Sequence, residues 1–194
     1  MTVETRALTG EALRAALPDL ARLRVAVFRE WPYLYEGDLD YETRYLRSWA
    51  ESEGAVVIGA FDGPAMVGAA TAAPMEDAAP EFAEPFRRLG WPLEELLYLG
   101  ESVLLPDRRG RGLGHAFFDG REAHGRRLGR GRAAFCAVIR DPDDPRRPAD
   151  YAPLDPFWRK RGYEPLDLET TFEWREPGGE AETPHRMRFW ARRL

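Results

Sequence analysis

The sequence predicts one mixed α+β domain spanning residues 1–194, and three observations carry that prediction. Segments with helical apolar spacing alternate along the chain with short apolar runs of strand length. Asp62-Gly63 separates two such runs, and this pair favours the tight turn that joins antiparallel strands. A further apolar run ends at Leu105 and passes through a glycine-bearing turn straight into an amphipathic segment, a strand–turn–helix unit.

Taken in order, Gly10–Leu17 and Leu20–Phe28 both show helical spacing, and Pro18 between them predicts a helix pair or a kinked helix. A loop follows from Arg29 to Leu39. Asp40 then reads as an N-cap, with Thr43 three residues on, and Tyr41–Ala50 as the helix it opens. Ala55–Phe61 and Ala65–Ala73 form the hairpin across Asp62-Gly63. Pro80–Leu89 reads as a short helix. Glu95–Leu105 is the strand before the glycine turn and Leu113–Leu128 the helix after it. Ala133–Ile139 is unbroken in its apolar character, as expected of a strand covered on both faces. Pro153–Arg161 is a short helix. Strands near Glu164–Trp174 and Arg186–Leu194 close the chain, joined by a loop at Pro177-Gly178-Gly179-Glu180. The sequence carries neither internal repeats nor a low-complexity segment.

Composition bounds the function. Hydrophobic residues make up 44% of 194, with six Trp, seven Tyr and ten Phe, enough for a substantial core and incompatible with a disordered chain. The longest apolar run falls short of the roughly 20 residues of a membrane helix, and the start, Met-Thr-Val-Glu-Thr-Arg, lacks the apolar stretch of a secretory signal. A cytoplasmic protein without membrane partners is expected. The single cysteine, Cys136, falls in a predicted buried strand and reads as a small core hydrophobe. A net charge of −5 argues against general nucleic-acid affinity, although arginines cluster between Arg108 and Arg132. Of these, Arg121, Arg126 and Arg127 read as a solvated helix face. His115, His124 and His185 are scattered without metal-ligand spacing, so no metal is expected.

The stretch from Leu104 to His115 is the most informative in the chain. Gly110, Gly112 and Gly114 permit left-handed backbone and close approach to a bulky group, and the helix that follows presents unpaired N–H groups. With Arg108, Arg109 and Arg111 in the same turn, the physical reading is a pyrophosphate cradle. A Walker loop would need Lys-Ser or Lys-Thr where His115-Ala116 stands, and a dinucleotide fingerprint would need its third glycine one residue later. Arg109-x-x-Gly112-x-Gly114 behind a strand ending Leu-x-Pro resembles the acetyl-CoA-binding signature of the GCN5-related N-acetyltransferase (GNAT) superfamily. Phe157-Trp-Arg-Lys-Arg-Gly-Tyr163 is similar to that superfamily's later Phe-Tyr-x-x-x-Gly-Phe segment, with Gly162 suited to end a helix. The competing readings are an Arg-Gly turn that only joins strand to helix, and an RNA-binding Arg-Gly segment.

The resemblance covers almost the entire chain and implies a single GNAT domain: a central mixed, mostly antiparallel sheet flanked by helices. It implies acetyl-CoA as cosubstrate, held at Arg109, Gly110, Arg111, Gly112, Leu113, Gly114 and His115. The coenzyme's arm would lie along a free strand edge, with a backbone amide at Val103, Leu104 or Leu105, preferably Leu104, donating to the thioester oxygen. Glu101 is the leading candidate base, a carboxylate inside an apolar strand where a charge is costly unless used or paired. A buried arginine partner would explain it equally well. Tyr98 and Ser102 are lesser candidates, able to order a relaying water. Trp158 stands where the family often has a tyrosine acid, and an indole N–H cannot serve that role. Either solvent or a neighbour such as Tyr151 or Tyr163 would then protonate the thiolate, with Trp158 packing on the coenzyme arm or filling the core.

In this family the loop after the first helix shapes the acceptor pocket. Here it holds Trp31, Tyr33, Tyr35, Glu36, Asp38 and Asp40, ring faces and carboxylates that would suit a cationic amine. The same aromatics could instead staple the loop to the core. The expected activity is therefore acetyl transfer to a primary amine of a small molecule or peptide. The alternative is a non-catalytic acyl-CoA-binding sensor or scaffold. The C-terminal strand, Met187–Leu194, is expected to be exposed and is where a homodimer would form.

Overall fold

The computed structural model describes residues 3–194; Met1 and Thr2, the start of the polar N-terminus noted above, lie outside the described residues. The elements are β1 (Glu4–Leu8), α1 (Gly10–Phe28), α2 (Leu39–Trp49), β2 (Val56–Asp62), β3 (Ala65–Pro74), α3 (Pro80–Arg88), β4 (Leu96–Leu104), α4 (Leu113–Arg127), β5 (Arg132–Val138), α5 (Asp155–Lys160), β6 (Glu164–Arg175) and β7 (Glu182–Arg193). Among the described residues, seven strands form one sheet in the order β1-β2-β3-β4-β5-β7-β6. Every neighbouring pair is antiparallel except β4 and β5. The mixed, mostly antiparallel sheet with flanking helices is thus the observed architecture.

Helices cover both faces of the sheet. Leu13, Leu17, Leu20 and Leu23 of α1 and Leu46 of α2 pack against Val57, Ala69, Ala73 and Val103. Phe82 and Phe86 of α3 extend the same layer against Leu96, Tyr98 and Phe189. On the opposite face Leu113, Phe117 and Phe118 of α4, with Phe157 and Trp158 of α5, cover Ile58, Ala70, Leu97 and Phe135.

Four local expectations are corrected. First, of the helix pair or kinked helix expected around Pro18, the pair is not formed: α1 is one continuous helix from Gly10 to Phe28. Pro18 sits on its exposed side, so the carbonyl that loses a donor faces water while the leucine stripe stays packed. Second, α2 is capped by Asp38, whose carboxylate accepts from the Tyr41 amide at 2.8 Å, and not by Asp40, which lies inside the first turn. Third, Met187–Leu194 is not an exposed strand: β7 pairs on both sides, with β5 and β6, and buries Met187, Phe189 and Trp190. The sheet edges are β1, a short charged strand that the sequence pattern did not reveal, and β6.

The fourth correction is Arg121. Arg126 and Arg127 are exposed, but Arg121 is 1% exposed. Its guanidinium donates to the carbonyls of Phe117 (3.2 Å), Thr71 (3.3 Å) and Glu101 (3.2 Å), and it lies over the Phe118 ring. Burial pushes its pKa down to about 10. It ties α4 to a β-bulge at which Gly100 and Glu101 of β4 oppose Thr71 of β3. Arg121→Met should cost about 2–3 kcal/mol in urea denaturation, because two strand carbonyls lose a charged donor.

Candidate active site

The site begins where two strands part. β4 and β5 pair only from Leu96↔Arg132 to Tyr98↔Ala134, so β4 beyond Tyr98 is bonded on one side, to β3. Along such a strand successive residues turn their N–H and C=O to opposite sides. The Leu105 amide donates to Val67 of β3 at 3.1 Å, which directs Leu105 and Val103 toward β3 and Leu104 toward the open edge. The Leu104 carbonyl agrees, accepting from Arg109 Nε at 3.2 Å on that open side. Of the three amides expected at this position, only that of Leu104 faces the gap.

The open edge leads into the glycine turn. Gly110 (φ +75°) and Gly112 (φ +80°) are both left-handed, and a Cβ on either would meet open space, so conformation and not crowding requires glycine there. Gly114 has ordinary helical backbone, and a Cβ on it would approach the Phe157 ring at 3.4 Å. Gly112 is the N-cap of α4 and supplies no side-chain cap, so the first-turn amides at Leu113 and Gly114 point out of the helix end. Leu113 buries its side chain and contributes only backbone. Arg109 reaches back to Glu30 (2.8 Å), and Arg111 is exposed beside the turn. His115 is exposed, edge-on to Phe157 and 3.3 Å from Arg161. Uncapped amides, two left-handed glycines and exposed arginines fit a pyrophosphate.

On the other face of β4 lies a cavity of about 370 Å³. The bulge puts Glu101 into it. In a regular strand Tyr98 and Glu101 would point to opposite faces, yet both line this cavity, because two residues of β4 oppose one of β3 between Leu99 and Ser102. Gly100 is needed there: a Cβ would lie 2.5 Å from Thr71 Oγ1, which accepts from the Glu101 amide. The Glu101 carboxylate is 2.7 Å from Arg24 Nη1. Arg24 also pairs with Glu42, which is wholly buried, and lies over the rings of Phe28 and Tyr45. Burial opposes the Arg24 charge, but Glu101 and Glu42 together raise its pKa. The second oxygen of Glu101, Oε1, is buried without a partner.

The loop residues divide. Tyr33, Tyr35 and Glu36 line the cavity, whereas Trp31 does not; it packs edge-on to Tyr151 at 6.0 Å and lies beside Arg140. Arg140 donates to the carbonyls of Pro32 and Tyr33, so the loop is stapled as well as lining. Glu36 pairs with Arg29, and Asp38 reaches the cavity while capping α2. Ser102 is exposed. Cys136 lines the cavity floor as a buried thiol whose pKa burial pushes up to about 12.

The two acid candidates and Trp158 lie away from this cavity. Trp158 packs edge-on against Phe135 (5.0 Å) and Trp190 (5.1 Å) on the α4 face. Tyr163 is fully buried in the same cluster; its hydroxyl donates to Glu122 at 3.1 Å, and burial raises its pKa. Its surroundings make it a structural hydroxyl, not a proton donor to a cavity group. Tyr163→Phe should cost about 1–2 kcal/mol in denaturation and leave turnover within about twofold, since Arg161 still donates to the same Glu122 oxygen. Tyr151 is half-buried in the loop before α5.

Several lining residues were missed in the sequence: Arg24, Tyr45, Phe82, Phe172 and Trp174. Arg24 left a signal. It continues the α1 stripe of Leu13, Leu17 and Leu20 toward Phe28, a cation at an apolar position. Phe172 and Trp174 left none, since only the return of β6 brings them opposite α3.

No family model matches the chain, and no curated protein matches it in sequence. Solved structures do. An acetyltransferase from Thermus thermophilus is 18% identical, with 100% of this chain and 98% of that one covered and a TM-score of 0.60. An acetyltransferase of the GNAT family from Streptococcus pneumoniae is 11% identical, with 100% of both chains covered and a TM-score of 0.61. The PaiA N-acetyltransferase from Thermoplasma acidophilum, solved in complex with coenzyme A, is 12% identical, with 100% of both chains covered and a TM-score of 0.58. Over its whole length, this chain has the fold of the GNAT-family acetyltransferases.

Proposed function

We propose that the protein is an acetyl-CoA-dependent N-acetyltransferase acting on a primary amine. The observation that carries this reading is what one strand brings together: past Tyr98, β4 is unpaired by β5, its end leads into the uncapped α4 terminus, and its Glu101 lines a cavity. When bound, the coenzyme supplies an acetyl group activated as a thioester. The chain's own contributions follow from placement. The α4 amides, Arg109 and Arg111 hold the pyrophosphate, and the Leu104 amide donates to the thioester oxygen as charge grows there. Glu101 takes a proton from the acceptor ammonium, whose nitrogen lone pair then forms the C–N bond. The C–S bond breaks, the thiolate leaves, and the new amide nitrogen gives up its remaining extra proton to solvent. An ordinary thiol pKa of about 8–9 lets the thiolate depart without an acid and take its proton from solvent.

The Glu101–Arg24 ion pair favours one second reading, a non-catalytic acyl-CoA-binding module in which that carboxylate is structural. Calorimetric titration with acetyl-CoA and with coenzyme A tests the part the two readings share: micromolar binding is expected, and no binding to folded protein refutes both. Thiol release with a panel of amines then separates them, since a module without activity releases none.

A further inference from the structure

The cavity's charge and its walls point to a narrower acceptor than a primary amine in general. At one end of the cavity Arg24 pairs with two carboxylates, Glu101, which lines the cavity, and Glu42, which is fully buried behind it, leaving one net negative charge among the three. Glu101 lines the cavity, and among the described residues its Oε1 is buried without a partner. A buried carboxylate oxygen without a donor is costly, and an ammonium placed against it would supply both the donor and the missing charge.

Above that oxygen the walls are rings. Phe82 stacks between Tyr98 (5.0 Å) and Phe172 (5.6 Å), while Tyr33 contacts Phe28 (4.6 Å) and Trp174 (6.1 Å). These surfaces reward a flat apolar body by offset or edge-on contact. A second ammonium would find ring faces there but no free buried carboxylate, and the hydroxyls of a sugar would find few partners. The cavity's other carboxylates are engaged or at its exposed rim: Glu36 pairs with Arg29, Asp38 caps α2, and Glu173, Glu180 and Glu182 are exposed along the β6–β7 hairpin.

We infer that the acceptor is a monocationic arylalkylamine, with its ammonium at the Glu101 carboxylate and its ring against Phe172 and Tyr33. A polyamine, an aminoglycoside or a peptide end would leave those walls unused. The inference rests on the acyl-transfer reading for the fate of the amine, but not for its binding.

Calorimetric titration of the full chain, with and without saturating coenzyme A, tests it directly. Phenethylamine should bind saturably. Spermidine, kanamycin and the neutral isostere 2-phenylethanol should each bind at least about tenfold more weakly. Glu101→Gln should weaken phenethylamine about tenfold and leave 2-phenylethanol unchanged, because it removes charge but keeps shape. Phe172→Ala, at a half-buried position that tolerates truncation, should weaken both. Spermidine or kanamycin binding as tightly as phenethylamine would overturn the inference. So would the absence of phenethylamine binding to protein shown by circular dichroism to be folded. Failure of acetyl-CoA to bind while phenethylamine does would defeat the acyl-transfer reading and leave the pocket assignment standing.

Discussion

Glu101→Gln should lower kcat/KM for amine acetylation by about 10²–10⁴ while acetyl-CoA affinity stays within about twofold. The split follows from placement. Glu101 opens into the acceptor cavity, while the turn at Gly110–Gly114 belongs to the α4 side of the sheet. Glutamine keeps the side chain's size and one oxygen, so the contact with Arg24 survives as a neutral hydrogen bond. What disappears is the capacity to accept a proton. A carboxylate that served only to neutralise Arg24 would behave differently, with lost stability in urea and activity per folded molecule nearly unchanged. Steady-state kinetics beside a denaturation curve on the same preparation distinguish the two.

Gly112→Asp should abolish coenzyme binding, reducing affinity by at least about a hundredfold, through two effects that add. Gly112 has φ +80°, where a side chain strains the backbone by about 1–2 kcal/mol. The new carboxylate also stands at the α4 terminus, where it would occupy the uncapped amides and repel a pyrophosphate. An added Cβ meets nothing within 4 Å, so the folded protein should persist and the loss should appear in calorimetry. Gly112→Ala separates the terms, since it keeps the strain and omits the charge. If the aspartate variant bound acetyl-CoA normally, the pyrophosphate could not sit at this turn.

Much of this was legible in the sequence because it depends on local rules. The Asp62-Gly63 hairpin, the strand–turn–helix from Leu96 to Arg127 and the helix ending before Gly162 were all read from short-range chemistry and observed close to the expected bounds. The same rules failed where tertiary packing overrode them. Pro18 did not break α1, because its exposed position leaves the missing bond to solvent while leucines hold the helix from the other side. Arg121 looked like a surface cation, since sequence spacing cannot reveal that a bulged strand presents carbonyls to it. Glu101 was legible as a carboxylate out of place. Its partners Arg24 and Glu42 come from α1 and α2, and no spacing within β4 announces them.

By itself the sequence determined the element order from α1 onward, the glycine positions that demand left-handed backbone and the presence of an ionisable group in an apolar strand. These follow from what each residue does to its own neighbourhood. Only the tertiary structure decided that Leu104 and not its neighbours turns its amide to the open edge, and that half-buried Trp158 and buried Tyr163 pack on the α4 face and do not line the cavity. It also decided that Tyr98 and Glu101 share one face. That last outcome has a plain physical cause: side-chain direction alternates along a strand until one extra residue is inserted, and whether it is inserted depends on the register with β3, a contact between segments some thirty positions apart.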